Sequence, residues 1–334
     1  MAFKINEMKI NRELQDVYDK HHPRYKSLKD EVIFILEKQL KSNNIPFDAI
    51  YGRVKDINSL QKKIRDNECT SPFQEIDDIC GVRVVCLFPS HMKEIDNIIT
   101  SNFTILERDD KIGTKPAESF GYLSMHYTAL IADSYSGARY DDLKKIKFEI
   151  QLRTIAAHAW CAISHHIDYK YPNAVPTSLQ KQFHALSALF YLADENFEML
   201  YKASQEFKDE ANLKNLVQIG KEEINYDILD VYLRKRFSSR EPAPPQYLSL
   251  LSEELYRAGY RTIADLENKL TGAESAVEVI EDTIFGKGVR NFHNVGVVRN
   301  ALSVVDDNYD KCRLSPLLNP EISRKDYRKY IKKQ

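Results

Sequence analysis

The pattern of apolar and polar residues changes along the chain, and it predicts an α/β domain. Between residues 24 and 40, Leu28, Val32, Ile35 and Leu36 recur at helical spacing, which predicts a helix packed on a core. From about residue 48 the period becomes two, which predicts strands. The expected strands are 49–55, 81–88, 103–106, 122–132 and 146–153, with helices or loops at 58–67, 91–100 and 109–120. Alternation of this kind predicts a mixed β-sheet flanked by helices.

The C-terminal third has a different pattern. Residues 154–169 and 176–222 are predicted to be helical, and the segment 236–246 then carries three prolines in polar surroundings, which we interpret as a hinge. Short amphipathic patterns follow at 248–258, 263–270 and 276–283. We therefore predict a domain of residues 1–222 and a small all-α accessory domain of residues 223–334 that ends in a basic tail.

Composition excludes several classes of protein. The chain has 48 Lys and Arg against 49 Asp and Glu, so it lacks the basic excess of a general DNA-binding protein. No apolar run is long enough to span a membrane, and the N-terminus does not resemble a signal peptide. The five cysteines are scattered without a CxxC pair, which favours a reducing cytoplasm over a disulfide or zinc framework.

Polar residues line one face of several predicted strands. Lys147, Glu149, Gln151 and Arg153 alternate with apolar residues on the strand 146–153. A strand between helices is normally apolar on both faces, so the polar face needs a functional explanation. The same face is expected to carry further polar side chains from the other strands and nearby segments, namely Arg53, Lys55, Lys63, Asp78, Arg83, Tyr122, Ser124, His126 and Thr128.

These residue types together indicate nucleotide chemistry. The carboxylates Asp78 and Glu149 repel each other unless a cation lies between them, and Mg²⁺ prefers such oxygen ligands. Clustered Arg and Lys side chains bind phosphates, and an aromatic side chain such as Tyr122 stacks on a base. The sequence therefore predicts a magnesium-dependent site that transfers a phosphate-containing group between nucleotides.

Five motifs in this region resemble the synthetase domain of the RelA/SpoT family. They span about residues 48–172 and occur in the family order. They are Gly52-Arg53-Val54-Lys55 with Ser59 and Lys63, Asp78-Ile79-Cys80-Gly81-Val82-Arg83, Gly121-Tyr122-Leu123-Ser124-Met125-His126, Glu149-Ile150-Gln151-Leu152-Arg153-Thr154, and His158 with Trp160, His165 and Tyr169-Lys170. The resemblance implies a fold related to the nucleotidyltransferases.

The resemblance also implies an activity: transfer of the β,γ-pyrophosphate of ATP to the 3′-hydroxyl of GDP or GTP, which yields guanosine tetra- or pentaphosphate and AMP. It implies that Asp78 and Glu149 hold Mg²⁺ and that Glu149 accepts the proton of the attacking hydroxyl. The other implied roles are ATP binding by Arg53, Lys55, Lys63 and Arg83, acceptor binding by Tyr122, Ser124, His126, Gln151 and Arg153, and support by His158 and His165.

Departures from the family pattern leave the identity of the acceptor nucleotide or RNA open. Leu123 and Ser119-Phe120 replace polar or basic residues that many members carry. One alternative is therefore the toxic branch of the family, whose members pyrophosphorylate the tRNA 3′ end or make adenosine alarmones. A second alternative is a catalytically inactive nucleotide-binding sensor. The acidic segment Glu107–Asp110 resembles a family variant, but its distance to Gly121 differs from that variant.

Further expectations concern the rest of the chain. The segment before residue 48 is too short for the family's hydrolase domain, so we expect synthesis without hydrolysis. Residues 223–334 are expected to mediate homo-oligomerisation or self-regulation. On the predicted helix 154–169, His158, His165, His166 and Asp168 could bind a metal, but without HExxH or CxxC spacing we expect His158 and His165 to be hydrogen-bonded beneath the site.

Overall fold

A five-stranded mixed sheet lies at the centre of the N-terminal part of the chain. The structure, a computed structural model, describes residues 2–110, 124–166 and 175–332, without the side chains of residues 2–12 and 165. It divides into two compact units, Met1–Tyr201 and Lys202–Gln334. The elements of the first unit are α1 (Ala2–Ser42), β1 (Phe47–Val54), α2 (Ile57–Asp66), α3 (Pro72–Glu75), β2 (Cys80–Cys86), α4 (Pro89–Asn102), β3 (Phe103–Asp110), β4 (Ser124–Ile131), β5 (Phe148–Thr154), α5 (Ile155–His166) and the first part of α6 (Thr177–Leu213).

The strand order of the sheet is β1-β2-β5-β4-β3. β2 and β5 run parallel at its centre, and the other three neighbouring pairs are antiparallel. The predicted mixed sheet with flanking helices is therefore confirmed. β3 is longer than expected, because Asp109 and Asp110 continue the strand opposite His126 and Met125 instead of beginning a helix or loop.

One face of the sheet forms the core of the first unit. Phe148, Ile150 and Leu152 of β5 are fully buried there, together with apolar side chains of α1 and α4. Helix α1 approaches β1 very closely at Gly52. A Cβ atom at this position would lie 2.7 Å from Ile33 Cδ1 and 2.7 Å from Lys29 Cγ, so any residue other than glycine would force these side chains to shift. This packing leaves the opposite, polar face of the sheet for other contacts.

The second unit is helical, as predicted. Its elements are the end of α6, α7 (Leu216–Ile219), α8 (Tyr226–Arg236), α9 (Pro245–Ala258), α10 (Ile263–Leu270), α11 (Glu274–Phe285), α12 (Asn294–Val305), α13 (Asp307–Cys312) and a 3₁₀ helix (Arg324–Tyr330). Helix α12 was not among the helices predicted from the sequence, and ten of its residues are buried, polar ones included.

The proline-rich segment is not a hinge between the two units. It connects α8 to α9 within the second unit, and its backbone is tied to α12: Ala243 N donates to Asn294 Oδ1 at 3.0 Å, and Asn294 N donates to the Glu241 carbonyl at 3.0 Å. Arg240 also forms an ion pair with the fully buried Glu281 of α11 at 2.7 Å. The hinge interpretation was wrong, because prolines here form a fixed turn between packed helices.

The division between the units lies inside α6, before the boundary after residue 222 that the sequence predicts. Ala211 and Ile219 already belong to the second hydrophobic core, which explains the difference in position. Among the helices that the structure describes, none is long and apolar enough to cross a membrane. All five cysteines lie within the described residues, and none of them forms a disulfide.

Candidate active site

Three rows of side chains cross the polar face of the sheet. Directly paired residues of neighbouring strands project from the same face, so strand register decides which side chains meet. The rows are Arg53-Gly81-Glu149-Thr128-Glu107, then Tyr51-Arg83-Gln151-His126-Asp109, then Ala49-Val85-Arg153-Ser124. The first two rows bring basic residues of β1 and β2 beside acidic and amide residues of β5. The polar face predicted from strand alternation is thus continuous over all five strands.

Gly81 creates a cavity in the first row. It lies between Arg53 and Glu149, and a Cβ atom at this position would have only Arg53 Cγ near it, at 4.0 Å. The missing side chain leaves a cavity of about 120 Å³ whose floor is the backbone of β2. Its walls include Tyr51, Arg83 and Asp78. Basic and acidic groups therefore surround one space that is open to a ligand.

Asp78 lies just before β2 and is held by two lysines. Lys55 Nζ is 3.0 Å from Asp78 Oδ2, and Lys63 Nζ of α2 is 2.9 Å from Asp78 Oδ1. Burial alone would raise the pKa of Asp78, but the ammonium groups of Lys63 and Lys55 outweigh it and hold the pKa below its ordinary value. Asp78 is therefore an anion at neutral pH, as a metal ligand must be.

Glu149 of β5 is held by hydrogen bonds to both of its oxygens. His126 Nδ1 lies 2.7 Å from Oε1, and Gln151 Nε2 donates to Oε2 at 3.0 Å. Ser124 Oγ lies 3.0 Å from the other ring nitrogen of His126, so a chain of polar groups runs along β4 to the carboxylate. Burial would raise the pKa of Glu149, but its hydrogen bond with His126 outweighs burial and keeps the pKa below its ordinary value. The charge of Asp78 acts in the opposite direction.

Gln151 joins the two arginines of the second and third rows. Its Oε1 accepts from Arg83 Nε at 3.2 Å, from Arg83 Nη2 at 3.1 Å and from Arg153 Nη2 at 2.7 Å. Burial first, and then the charges of Arg153 and Arg53, lower the pKa of Arg83. Three guanidinium groups are thus crowded together, and an anion placed among them would relieve their repulsion.

His158 of α5 lies over the second row and stacks on Tyr51, with ring centroids 5.4 Å apart and planes 20° apart. Burial, followed by the charges of Arg83 and Arg153, lowers its pKa, so the ring is neutral at pH 7. Its Nδ1 is buried without a hydrogen-bond partner among the described residues. His158 Nδ1 therefore does not form the predicted hydrogen bond beneath the site. The ring stacks on Tyr51 instead.

Asp78 and Glu149 face two adjoining cavities. Both line the cavity above Gly81, and both also line a second space of about 230 Å³ whose walls include Lys63, Asn67 and Thr128. Two ionised carboxylates that share a cavity fit the way in which Mg²⁺ is bound by one or two carboxylates together with water and phosphate oxygens. In the described ranges, no group of three or more His, Cys, Asp and Glu side chains is arranged to hold a metal ion. His165 and Asp168 lie outside that description.

Most of the predicted site residues lie together on this face. They are Arg53, Lys55, Lys63, Asp78, Arg83, Ser124, His126, Glu149, Gln151 and Arg153. Tyr122 and the side chain of His165 lie outside the described residues, as do Leu123 and Ser119-Phe120.

The rows also contain Tyr51, Gly81, Glu107 and Asp109, which were not among the predicted site residues, although the sequence places Gly81 in a family motif and Glu107 and Asp109 in the acidic segment that resembles a family variant. Glu107 and Asp109 continue the first two rows onto β3, and their i, i+2 spacing is the signal that could have placed them there.

Comparison with known proteins supports the motif resemblance. The family model described as "Region found in RelA / SpoT proteins" matches residues 52–174. GTP pyrophosphokinase YjbM of Bacillus subtilis (strain 168) is 27% identical over 174 residues, which are 50% of this chain and 78% of that protein. GTP pyrophosphokinase YwaC of the same organism is 28% identical over 165 residues, 48% of this chain and 76% of that protein. Among solved structures, the small alarmone synthetase 1 from Bacillus subtilis is 24% identical, covers 57% of this chain and 99% of its own, and has a TM-score of 0.49.

Proposed function

We propose, from the premise that residues 52–174 are a RelA/SpoT-type synthetase region, that this protein is a GTP/GDP diphosphokinase. It transfers the β,γ-pyrophosphate of ATP to the 3′-hydroxyl of GDP or GTP. The 3′ oxygen forms a bond to the β-phosphorus, the bond between that phosphorus and the α,β-bridging oxygen breaks, the hydroxyl proton is lost, and AMP leaves. The observation that carries the proposal is the row in which Arg53 and Glu149 face each other across the open floor of Gly81.

The basic residues of β1, β2 and α2 form the ATP side. Arg53 is exposed and lines the cavity above Gly81, Lys63 lines the adjoining cavity, and Lys55 is paired with Asp78, which lines both. All three are proposed to bind phosphate oxygens. Their pairing with Asp78 keeps two ammonium groups in place before ATP arrives. Arg83, half-buried in the same wall, supplies a planar guanidinium for the adenine ring. Positioning and charge stabilisation are the main contributions that phosphoryl transfer needs from a protein.

Asp78 and Glu149 are the residues that would hold Mg²⁺, since they are the two ionised carboxylates of the shared cavities. A bound Mg²⁺ would neutralise charge on the transferred phosphates and align them with the acceptor. In the absence of a ligand, Lys55 and Lys63 supply the positive charge that Asp78 requires.

Glu149 is also the proposed general base. Its low pKa makes it a free carboxylate at neutral pH, and His126 fixes the orientation of one oxygen at 2.7 Å. The polar chain from Ser124 through His126 ends at this carboxylate and is arranged to stabilise the charge changes there. The residues proposed to bind the acceptor are Ser124 and His126 of β4, Gln151 and Arg153 of β5, and Tyr122. The free thiols fit a reducing cytoplasm, in which we place the reaction.

The experiment supplies the full-length protein with γ-labelled ATP, Mg²⁺ and one acceptor at a time: GDP, GTP, ATP or tRNA. We expect label in guanosine nucleotides with equimolar AMP, no transfer when EDTA removes Mg²⁺, and loss of transfer in Glu149→Gln. The matched control is Glu107→Gln in the same row, which should retain most activity.

The acceptor that takes the label decides between the alternatives. Label in tRNA or adenine nucleotides alone would replace the proposal with the activity of the toxic branch. Absence of transfer to every acceptor, with ATP still bound, would indicate a sensor. Unchanged transfer in Glu149→Gln would overturn the assignment of the base.

A further inference from the structure

A cavity in the second unit lies far along the chain from the synthetase region. It has a volume of about 490 Å³, is open to solvent and is lined by residues of α12, α13 and the segment 313–325. This volume lies in the range typical of small-molecule sites in proteins. All of its lining residues belong to one compact unit, so the cavity is a property of the helical domain itself.

Several polar atoms at this cavity have no hydrogen-bond partner. Ser303 Oγ, Arg313 Nε, Ser315 Oγ and Asp310 Oδ1 are all buried and unpartnered among the described residues. Proteins satisfy nearly all buried polar groups, and each unsatisfied one costs about 1–3 kcal/mol. Ser303 is fully buried. Two hydroxyls, a guanidinium donor and a carboxylate oxygen that belong to the lining of one cavity are therefore without a protein partner and are available to a ligand.

The charge at this cavity is positive and poorly compensated. Arg324 is only 4% exposed, and its donors go to neutral oxygens: Asn300 Oδ1 at 2.9 Å and the carbonyls of three residues between 318 and 322. Burial and the neighbouring charge of Arg313 lower the pKa of Arg324. Arg313 Nη1 lies 3.9 Å from Asp310, too far for a hydrogen bond. Among the described lining residues, Arg313, Arg324 and Lys325 thus outnumber the single carboxylate Asp310, and the charges of Glu321 and Asp310 only partly offset that of Arg324.

We propose that this cavity binds a small organic phosphate monoester. Arg313 and the serine hydroxyls have the donor chemistry that phosphate oxygens accept, and the charge of Arg324 adds to the attraction. Asp310 Oδ1 is an acceptor for a hydroxyl of the organic part, and Leu314, Leu317 and Ile322 supply apolar wall. The bare phosphate ion would leave that acceptor and the apolar wall unused. This site is independent of the activity proposed above.

Calorimetric titration of the full-length protein with ribose 5-phosphate tests the proposal, with inorganic phosphate and ribose as separate titrants. We expect ribose 5-phosphate to bind more tightly than inorganic phosphate, and ribose not to bind. Arg313→Gln and Ser303→Ala should each lower the affinity about tenfold, as expected from the loss of one charge-assisted hydrogen bond. Because the Ser303 hydroxyl has no protein partner, Ser303→Ala should not lower the melting temperature.

Two control variants locate the binding. Lys311→Gln removes the same charge from an exposed position on α13 and should bind like the wild type. Arg53→Gln, in the synthetase cavity, should also bind like the wild type. Loss of binding in Arg53→Gln, wild-type affinity in both Arg313→Gln and Ser303→Ala, or equal affinity for phosphate and ribose 5-phosphate would each overturn the proposal. Because no transfer reaction is measured, the result does not depend on the pyrophosphokinase assay.

Discussion

Replacing Gly81 by valine should weaken the use of ATP without lowering the stability of the fold. Gly81 lies inside β2 with ordinary strand geometry, and the only atom near an added Cβ is Arg53 Cγ at 4.0 Å. Valine favours strands, and glycine costs about 0.5–1 kcal/mol in a strand interior relative to alanine. We therefore expect Gly81→Val to fold and to unfold at a slightly higher urea concentration than the wild type.

The same valine occupies the space that ATP is proposed to use. The cavity above Gly81 has a volume of about 120 Å³, and an isopropyl group at this position would project into it. Forcing a ligand into an occupied site costs about 1–3 kcal/mol, as overpacking does in a core. We therefore expect kcat/KM for ATP to fall by about 5- to 150-fold. Gly81→Ala, which adds one methyl group in open space, is the matched control and should retain most activity.

The measurements are initial rates of pyrophosphate transfer at varied ATP concentration, together with urea unfolding of each variant. A valine variant that is stable and has the wild-type KM and kcat would show that ATP does not bind above Gly81. A valine variant that unfolds more easily than the wild type would instead show that a β-branched side chain does not fit the strand at this position. Both results would refute the reasoning from the row of side chains.

Three other predictions follow from single contacts. Gly52→Ala should lower the free energy of unfolding by about 1–3 kcal/mol in urea titration, because its methyl group would lie 2.7 Å from Ile33 Cδ1. His126→Asn removes the group that, after burial, most affects Glu149 and should raise its pKa, so the acid limb of the rate profile should move to higher pH. Burial raises the pKa of Asp194 in α6, so its ionisation costs stability; relative to Asp194→Asn, the wild type should lose unfolding free energy as the pH rises above the ordinary pKa of an aspartic acid side chain and passes the raised pKa of the folded state.

Local patterns in the sequence were sufficient to predict the strands and the polar face. Alternation in β5 placed Phe148, Ile150 and Leu152 on one side, and all three are fully buried. The alternation of Ser124 and His126 with Met125 and Tyr127 is likewise reproduced in β4. Such predictions succeed because side-chain direction in a strand depends only on the parity of the position.

Predictions failed where tertiary packing replaced local pattern. The prolines between α8 and α9 resembled a linker, but buried polar contacts to α11 and α12 fix that segment. Helix α12 was not predicted either, and ten of its residues are buried, among them the polar residues Arg299, Asn300 and Ser303. The fixed conformation of the proline segment has no signal in its own residues, since it depends on partners more than 40 positions away in the chain.

In the candidate site, too, tertiary pairing decides what local sequence pattern does not show. Its motifs occur in the order β1, β2, β4, β5, but the sheet places β5 between β2 and β4, so Glu149 lies between Gly81 and Thr128, with Arg53 beyond Gly81 in the same row. The parallel pairing of β2 with β5 brings the basic residues of β1 and β2 beside the acidic Glu149 of β5, and Gly81 between Arg53 and Glu149 leaves space for a ligand. Motif order therefore indicates which residues belong to the site, whereas register determines which pairs can share one substrate. For that reason the glycine between two charged residues is a sharper test of the proposed chemistry than either charged residue alone.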